Sequence, residues 1–186
     1  MTLHHVNWRW LFCIVGSMFV ILGLGSLRAA ETKANQSALN DGYSLFYDFC
    51  NQESQLSLLL WIKTTPPDLS AYAKEISSTA KADMAILKNM AAGDSSLRLD
   101  KISLPGFELN VRQSMADDRK KQLLWGTSGA AFAQALIMSQ SETTNYGLHL
   151  VKVLSETEPD STRAHEMHQM YVKWLALHDQ AYRLSR

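Results

Sequence analysis

The chain is poor in cysteine, carries no surplus of charge of either sign, and contains no apolar–polar alternation long enough for a strand. Two cysteines in 186 residues cannot make a disulfide framework. A domain of this length buries most of the surface its unfolded chain exposes, so it needs neither disulfides nor a structural metal to hold together. Lys plus Arg number 18, as do Asp plus Glu, and the longest basic run is the triplet Arg119, Lys120, Lys121. Such a balance lacks the broad positive field of nucleic-acid binding, and no nucleic-acid partner is expected. Glycine-rich phosphate loops are missing. Ser128, between Thr127 and Gly129, lacks the flanking strand and the Gly-x-Ser-x-Gly spacing of a nucleophile turn.

What is present begins with residues 11–27, LFCIVGSMFVILGLGSL, an uncharged apolar run preceded by Arg9. The pattern predicts a signal peptide over 1–30, cleaved near Ala30, or a membrane anchor at the lower limit of length for spanning a bilayer if the segment persists. Either way the rest of the chain is expected to be periplasmic or otherwise exported, with a membrane tether through 11–27 in the second case. Cys13 lies inside the apolar run and not at the end of a lipobox, so lipid attachment is not expected. Removal of Arg9 and Arg28 leaves 16 basic against 18 acidic groups, a net charge of minus 2, and Cys50 as the only thiol. Cys50 falls on an apolar helical face, where a buried, unreactive thiol is the ordinary outcome.

Residues 31–38, ETKANQSA, are polar without periodicity and read as a tether. Four long helical segments follow. The first is predicted from about Leu39 to Thr65, started by Asn40 or Asp41 and stopped by Pro66-Pro67, with Leu39, Tyr43, Phe46, Cys50, Glu53, Ser57, Leu60 and Trp61 on one arc. The second runs from Asp68 to just before Gly93, with Leu69, Tyr72, Ala73, Ile76, Ala80, Asp83, Leu87 and Met90 inward. Lys74, Lys81 and Lys88 form a solvated stripe on its other side. A connection from Gly93 to Ser128 is too long to be structureless and should hold a shorter helix from about Glu108 to Trp125. The third long helix spans about Ala130 to Glu156 with Phe132, Leu136, Ser139, Thr143, Tyr146, Leu150 and Leu154 inward. After a turn at Pro159-Asp160 the last continues to about Leu184, with Met167, Tyr171, Trp174, His178 and Ala181 on one side. Two helical hairpins joined by a long crossover predict an all-α fold over 39–186, a four-helix bundle of ferritin-like type.

Several residues also carry a family likeness: Glu53 in the first helix, the Leu104-Pro105 step in the crossover, Gly129 followed by Phe132, and the terminal run His178-Asp179-Gln180-Ala181-Tyr182-Arg183-Leu184. On these the chain resembles a bacterial ferritin-like family of exported proteins of unknown function, labelled as outer-membrane proteins. The resemblance implies an exported ferritin-like bundle. Where that family has a histidine after the second-helix aspartate, this chain has Met84. Its third-helix aspartate is Ala133 here, and its later histidine is missing around Thr144.

A ferritin-like di-iron site needs Glu-x-x-His on two helices, because residues i and i+3 project side by side into the core. The chain contains no Glu-x-x-His. A polar turn nevertheless interrupts each of the first three apolar stripes, at Asn51 to Gln55, at Ser77 to Thr79 with Asp83, and at Ser139 to Asn145. Glu53 and Asp83 stand 13 and 17 residues from Pro66, and Glu142 and His178 stand 17 and 19 residues from Pro159. Helical rise then places all four at one height, ~20–25 Å up the bundle from the Pro66 turn for the first pair. Two readings follow. Glu53, Asp83, Glu142 and His178 hold a single metal ion or a small polar ligand, or the layer closes on itself through internal hydrogen bonds. The expected function is a binding or structural component of the cell envelope, with a metal-binding protein carrying a reduced ferritin-like site as the alternative. His165 and His168 read as solvated surface, and Trp61, Trp125 and Trp174 as core or rim packing.

Overall fold

The Pro66-Pro67 pair decides where the second long helix begins. In a computed structural model of the chain, residues 35–100 and 102–186 are described. The expected signal or anchor segment, 1–30, and the start of the expected tether lie outside the described residues. Leu39–Arg186 forms one compact unit. Helix α1 (35–53) already includes residues 35–38, which the sequence assigned to the tether. It stops a dozen residues before the prolines, and a 3-10 helix, Leu56–Trp61, covers half of the gap. Helix α2 is Pro67–Gly93, with proline at its first position, where a missing N–H costs nothing. Helix α3, Gly106–Lys121, continues into a π-helical turn, Gln122–Gly126. Helices α4, Gly129–Thr157, and α5, Ser161–Leu184, complete the fold. No strand occurs among the described residues, and none of their helices is long and apolar enough to cross a membrane.

The early end of α1 is held by a contact from another helix. Ser77 of α2 donates its hydroxyl to the Glu53 carbonyl (3.2 Å) and accepts the Ser57 amide (2.8 Å). One side chain therefore satisfies two of the backbone groups that a helix end leaves open, and the chain turns there without leaving them bare. At the start of α4, Thr127 and Ser128 are extended, and Gly129 takes φ of +57°, a conformation that glycine adopts without a side-chain penalty. Asp160 caps α5 by accepting the Arg163 amide (2.9 Å).

The core lies between α1, α2, α4 and α5. Tyr43, Phe46, Tyr72, Ile76, Leu87, Phe132, Leu136, Met167, Met170 and Trp174 are fully buried, each contributing about 1.5–3 kcal/mol by leaving water. Phe49 of α1 wedges edge-on against Trp174 (centroids 4.6 Å apart) and stacks on Phe46 (5.8 Å). Its ring fills the space that a side chain at Gly147 would need, so glycine lets α1 and α4 approach closely. The sequence arc of α4 holds through Ser139, shifts by one residue over the middle of the helix, and is met again at Leu154. Gln140, Thr144, Gly147, Leu148 and Val151 are buried, whereas Tyr146 is exposed. The buried positions 140, 144, 147, 151 and 154 span 14 residues in four steps, the 3.5-residue spacing that keeps a packed seam facing its neighbours, whereas the expected positions 139, 143, 146 and 150 span 11 residues in three steps and turn away from it. Trp61 and Trp125, expected in core or rim packing, are 87% and 82% exposed, and only Trp174 of these three is buried.

Candidate functional site

Glu53 is the last residue of α1, and its side chain is 8% exposed. Burial pushes its carboxyl up to about 7, partly offset by the charge of Arg119 and by the Gln140 side chain. Oε2 of Glu53 has no hydrogen-bond partner, nor do Oγ of Ser139 and Oε1 of Gln140, all three atoms being buried. Unpaired buried acceptors cost about 1–3 kcal/mol each unless something donates to them. From α3, Arg119 donates to Thr143 Oγ1 (2.7 Å) and to Glu142 Oε2 (3.4 Å), closing the layer on its outer side. On the inner side Thr144 donates to the Gln140 carbonyl (2.6 Å) and lies 3.3 Å from Nδ1 of His178. Tyr72 completes this level from α2 by donating to the Leu177 carbonyl (3.1 Å), its phenol pushed up by burial.

Asp83 sits elsewhere. It is fully buried, accepts the Trp174 indole N–H (2.9 Å), and meets Lys173 at 3.5 Å from the rim. Burial raises its carboxyl, opposed by Lys173 and by the two hydrogen bonds. Cys50 is a buried free thiol, pushed well up by burial and further by the charges of Asp83 and Glu53.

These placements answer the expectation of one four-residue layer. Glu53 lies level with Ser77, and Asp83 is six residues further along α2, about 9 Å away along the axis. Equal height requires α-helical rise from Glu53 to Pro66, but α1 ends at Glu53 and the chain continues through the 3-10 segment. Glu142 is on the outside of α4, its side chain 74% exposed and paired with Arg119. His178 is half-buried and joins the Glu53 level only through Thr144. Among the described residues no three His, Cys, Asp or Glu side chains gather as metal ligands. The groups that act on Glu53 are the Gln140 amide and the Arg119 guanidinium, and this set does not fit a di-iron centre. Residues that sequence reasoning missed are Gln140, Thr144, Tyr72 and Arg119. The polar turn from Ser139 to Asn145 held the signal for the first two, and Arg119 reaches the layer only because α3 lies along α4.

A second polar cluster ties the opposite end of the unit. Tyr43 donates to Glu158 Oε2 (2.6 Å), Arg163 pairs with Glu158 (2.9 Å) and Asp94 (2.7 Å), and the Asp160 amide donates to Glu158 Oε1 (2.9 Å). Burial pushes Glu158 up, but these bonds outweigh it and hold the carboxyl below its ordinary value. The cluster joins α1, the end of α2 and the α4–α5 turn, and it reads as a structural clamp.

Fold and site together define an all-helical bundle with a polar layer inside an apolar core. No family model, curated protein or solved structure matches the chain.

Proposed function

We infer that the chain is a ferritin-like four-helix bundle of the cell envelope that acts by binding, not by catalysis, and that its internal polar layer is the binding element. The observation that carries this is the set of three nine-tenths-buried side chains, Glu53, Ser139 and Gln140, whose free oxygens come from α1 and α4. A set made of acceptors and one hydroxyl suits a small hydrogen-bond-donating species, of which water is the smallest. Export rests on the uncharged run 11–27.

Two measurements test the reading. A high-resolution crystal structure of the chain is expected to contain a non-protein species bonded to at least two of the three oxygens. Direct closure of Glu53, Ser139 and Gln140 on one another would refute internal binding, and a coordinated ion there would turn the reading toward a metal protein. Fractionation of cells expressing the chain is expected to place it in the envelope, and retention in the cytoplasm would remove the localisation.

A further inference from the structure

Helix α3 is held in the fold differently from its neighbours. None of its residues is buried, whereas α2, α4 and α5 each bury five or more. Phe107 and Met115 are 82% and 61% exposed, and none of Phe107, Leu109, Val111 and Met115 packs on the core. Pairs within the helix support it instead: Arg112 with Glu108 (2.8 Å), Gln113 with Asp117 (3.1 Å) and Lys121 with Asp118 (3.5 Å). Glu108 in its first turn and Arg119, Lys120 and Lys121 in its last also suit the helix dipole. These features favour the helix but tie it to nothing else.

Two arginines fasten it to α4. Arg112 donates to the Tyr146 hydroxyl (3.0 Å), and Arg119 donates to Thr143 Oγ1 (2.7 Å) and Glu142 Oε2 (3.4 Å). Seven residues apart, the two lie on one face of α3. Among the described residues no other side-chain hydrogen bond or ion pair joins α3 to another helix. Surface contacts of this kind shift an equilibrium by only about twofold to fivefold each. Both ends of the segment, by contrast, are pinned. Leu97 is buried, and the Arg98 amide donates to Asn40 Oδ1 (2.9 Å) while its carbonyl accepts from Ser44 (3.1 Å), both on α1. At the other end Leu123 is buried and the Thr127 carbonyl accepts from Lys63 (2.8 Å). Between Leu97 and Leu123 no described residue is buried. Arg119 is where this segment meets the polar layer. Its acceptor Thr143 donates in turn to the Ser139 carbonyl (2.8 Å), Ser139 Oγ is buried without a partner, and the charge of Arg119 acts on the Glu53 carboxyl.

We propose that α3 is a strap that lifts from α4 between its two pinned ends, and that lifting withdraws Arg119 from Thr143 and Glu142 and opens the outer side of the Glu53 layer to solvent. The strap is the entry gate of the binding layer inferred above and rests on that reading for its use. The movement itself needs no ligand.

The test is iodoacetamide labelling of Ser139→Cys in the full chain, read by peptide mass mapping, with Cys50 as the buried reference. Position 139 is expected to react at least about tenfold faster than Cys50, because lifting α3 uncovers the layer and leaves the core shut. Arg112 stands two turns from Arg119, so Arg112→Met removes no cover from position 139 and reports the movement of the whole helix. It should raise the rate at position 139 about threefold, and Tyr146→Phe about twofold. Cys50 labelling and the urea midpoint should not change in either variant, because no core side chain is lost. In the unaltered chain, amides of 106–121 should exchange hydrogen together and about a hundredfold faster than those of α4. Labelling at position 139 as slow as at Cys50, a rate that Arg112→Met leaves unchanged, or exchange of 106–121 as slow as that of α4 overturns the proposal. None of these measurements uses a ligand, so a refutation of internal binding and a refutation of the strap are separate results.

Discussion

Replacing Glu53 by glutamine keeps the shape of the side chain and removes its charge, which isolates the electrostatic cost of the polar layer. In the folded chain the Glu53 carboxyl titrates at about 7, against an ordinary value of 4.5. Between those two values the folded protein holds a proton that the unfolded chain has released. Stability therefore falls as pH rises through this window and levels off above it, by about 3 kcal/mol in all at about 1.36 kcal/mol per pH unit. Arg119 on α3 and Gln140 on α4 oppose the shift. Asp83 is raised too and gives a slope of the same sign in both proteins, so the difference between them carries the test. Urea unfolding should find Glu53→Gln equal to the wild type near about pH 4 and about 3 kcal/mol more stable near about pH 8. In thermal melts the gain at the higher pH is roughly 6–12 °C for a chain of this size. A difference that stays flat with pH would refute a buried, charge-starved Glu53.

Gly147→Ala pushes a methyl group into the Phe49 ring, which Trp174 and Phe46 hold in place, whereas Gly93→Ala meets nothing. The first should lose about 1–2 kcal/mol after helix propensity offsets part of the clash, and the second should gain about 0.5–1 kcal/mol, both read from urea midpoints. Arg163→Ala leaves Glu158 buried without its cation and should cost about 3–5 kcal/mol, with Tyr43→Phe costing about 1–2 kcal/mol. The same clamp makes stability fall at acid pH, because Glu158 and Asp94 titrate below their ordinary values and lose their bonds on protonation. Alkylation with iodoacetamide, followed by peptide mass mapping, should leave Cys50 untouched in native protein and modify it in urea. Rapid native labelling would contradict its burial.

The helices were legible because their stripes are long and their ends are marked. Leu69, Tyr72, Ala73, Ile76, Ala80, Asp83 and Leu87 are buried as the period required, Met90 at the helix end is half-buried, and Lys74, Lys81 and Lys88 are exposed opposite them. The break in α1 was not legible, because its cause is a hydroxyl from another helix. Nothing near residue 53 announces that Ser77 will take both the Glu53 carbonyl and the Ser57 amide. That one contact spoils the count of rise from Pro66 and separates Asp83 from Glu53. Glu142 escaped for a different reason. It sat at the edge of an arc whose drift toward Gln140 and Thr144 turned it outward, where Arg119 of α3 reaches it.

By itself the sequence determined that this chain would be helical, where α2, α4 and α5 lie, and that Glu53 and Asp83 would point inward. Periodicity and capping are local properties, written within a few turns of chain. Only the tertiary structure decided which polar groups meet, that Asp83 answers Trp174 while Glu53 faces Gln140, and that Trp61 and Trp125 stand exposed at one end. Those pairings depend on the relative height and rotation of helices far apart in sequence. A bend of a few residues between them changes both.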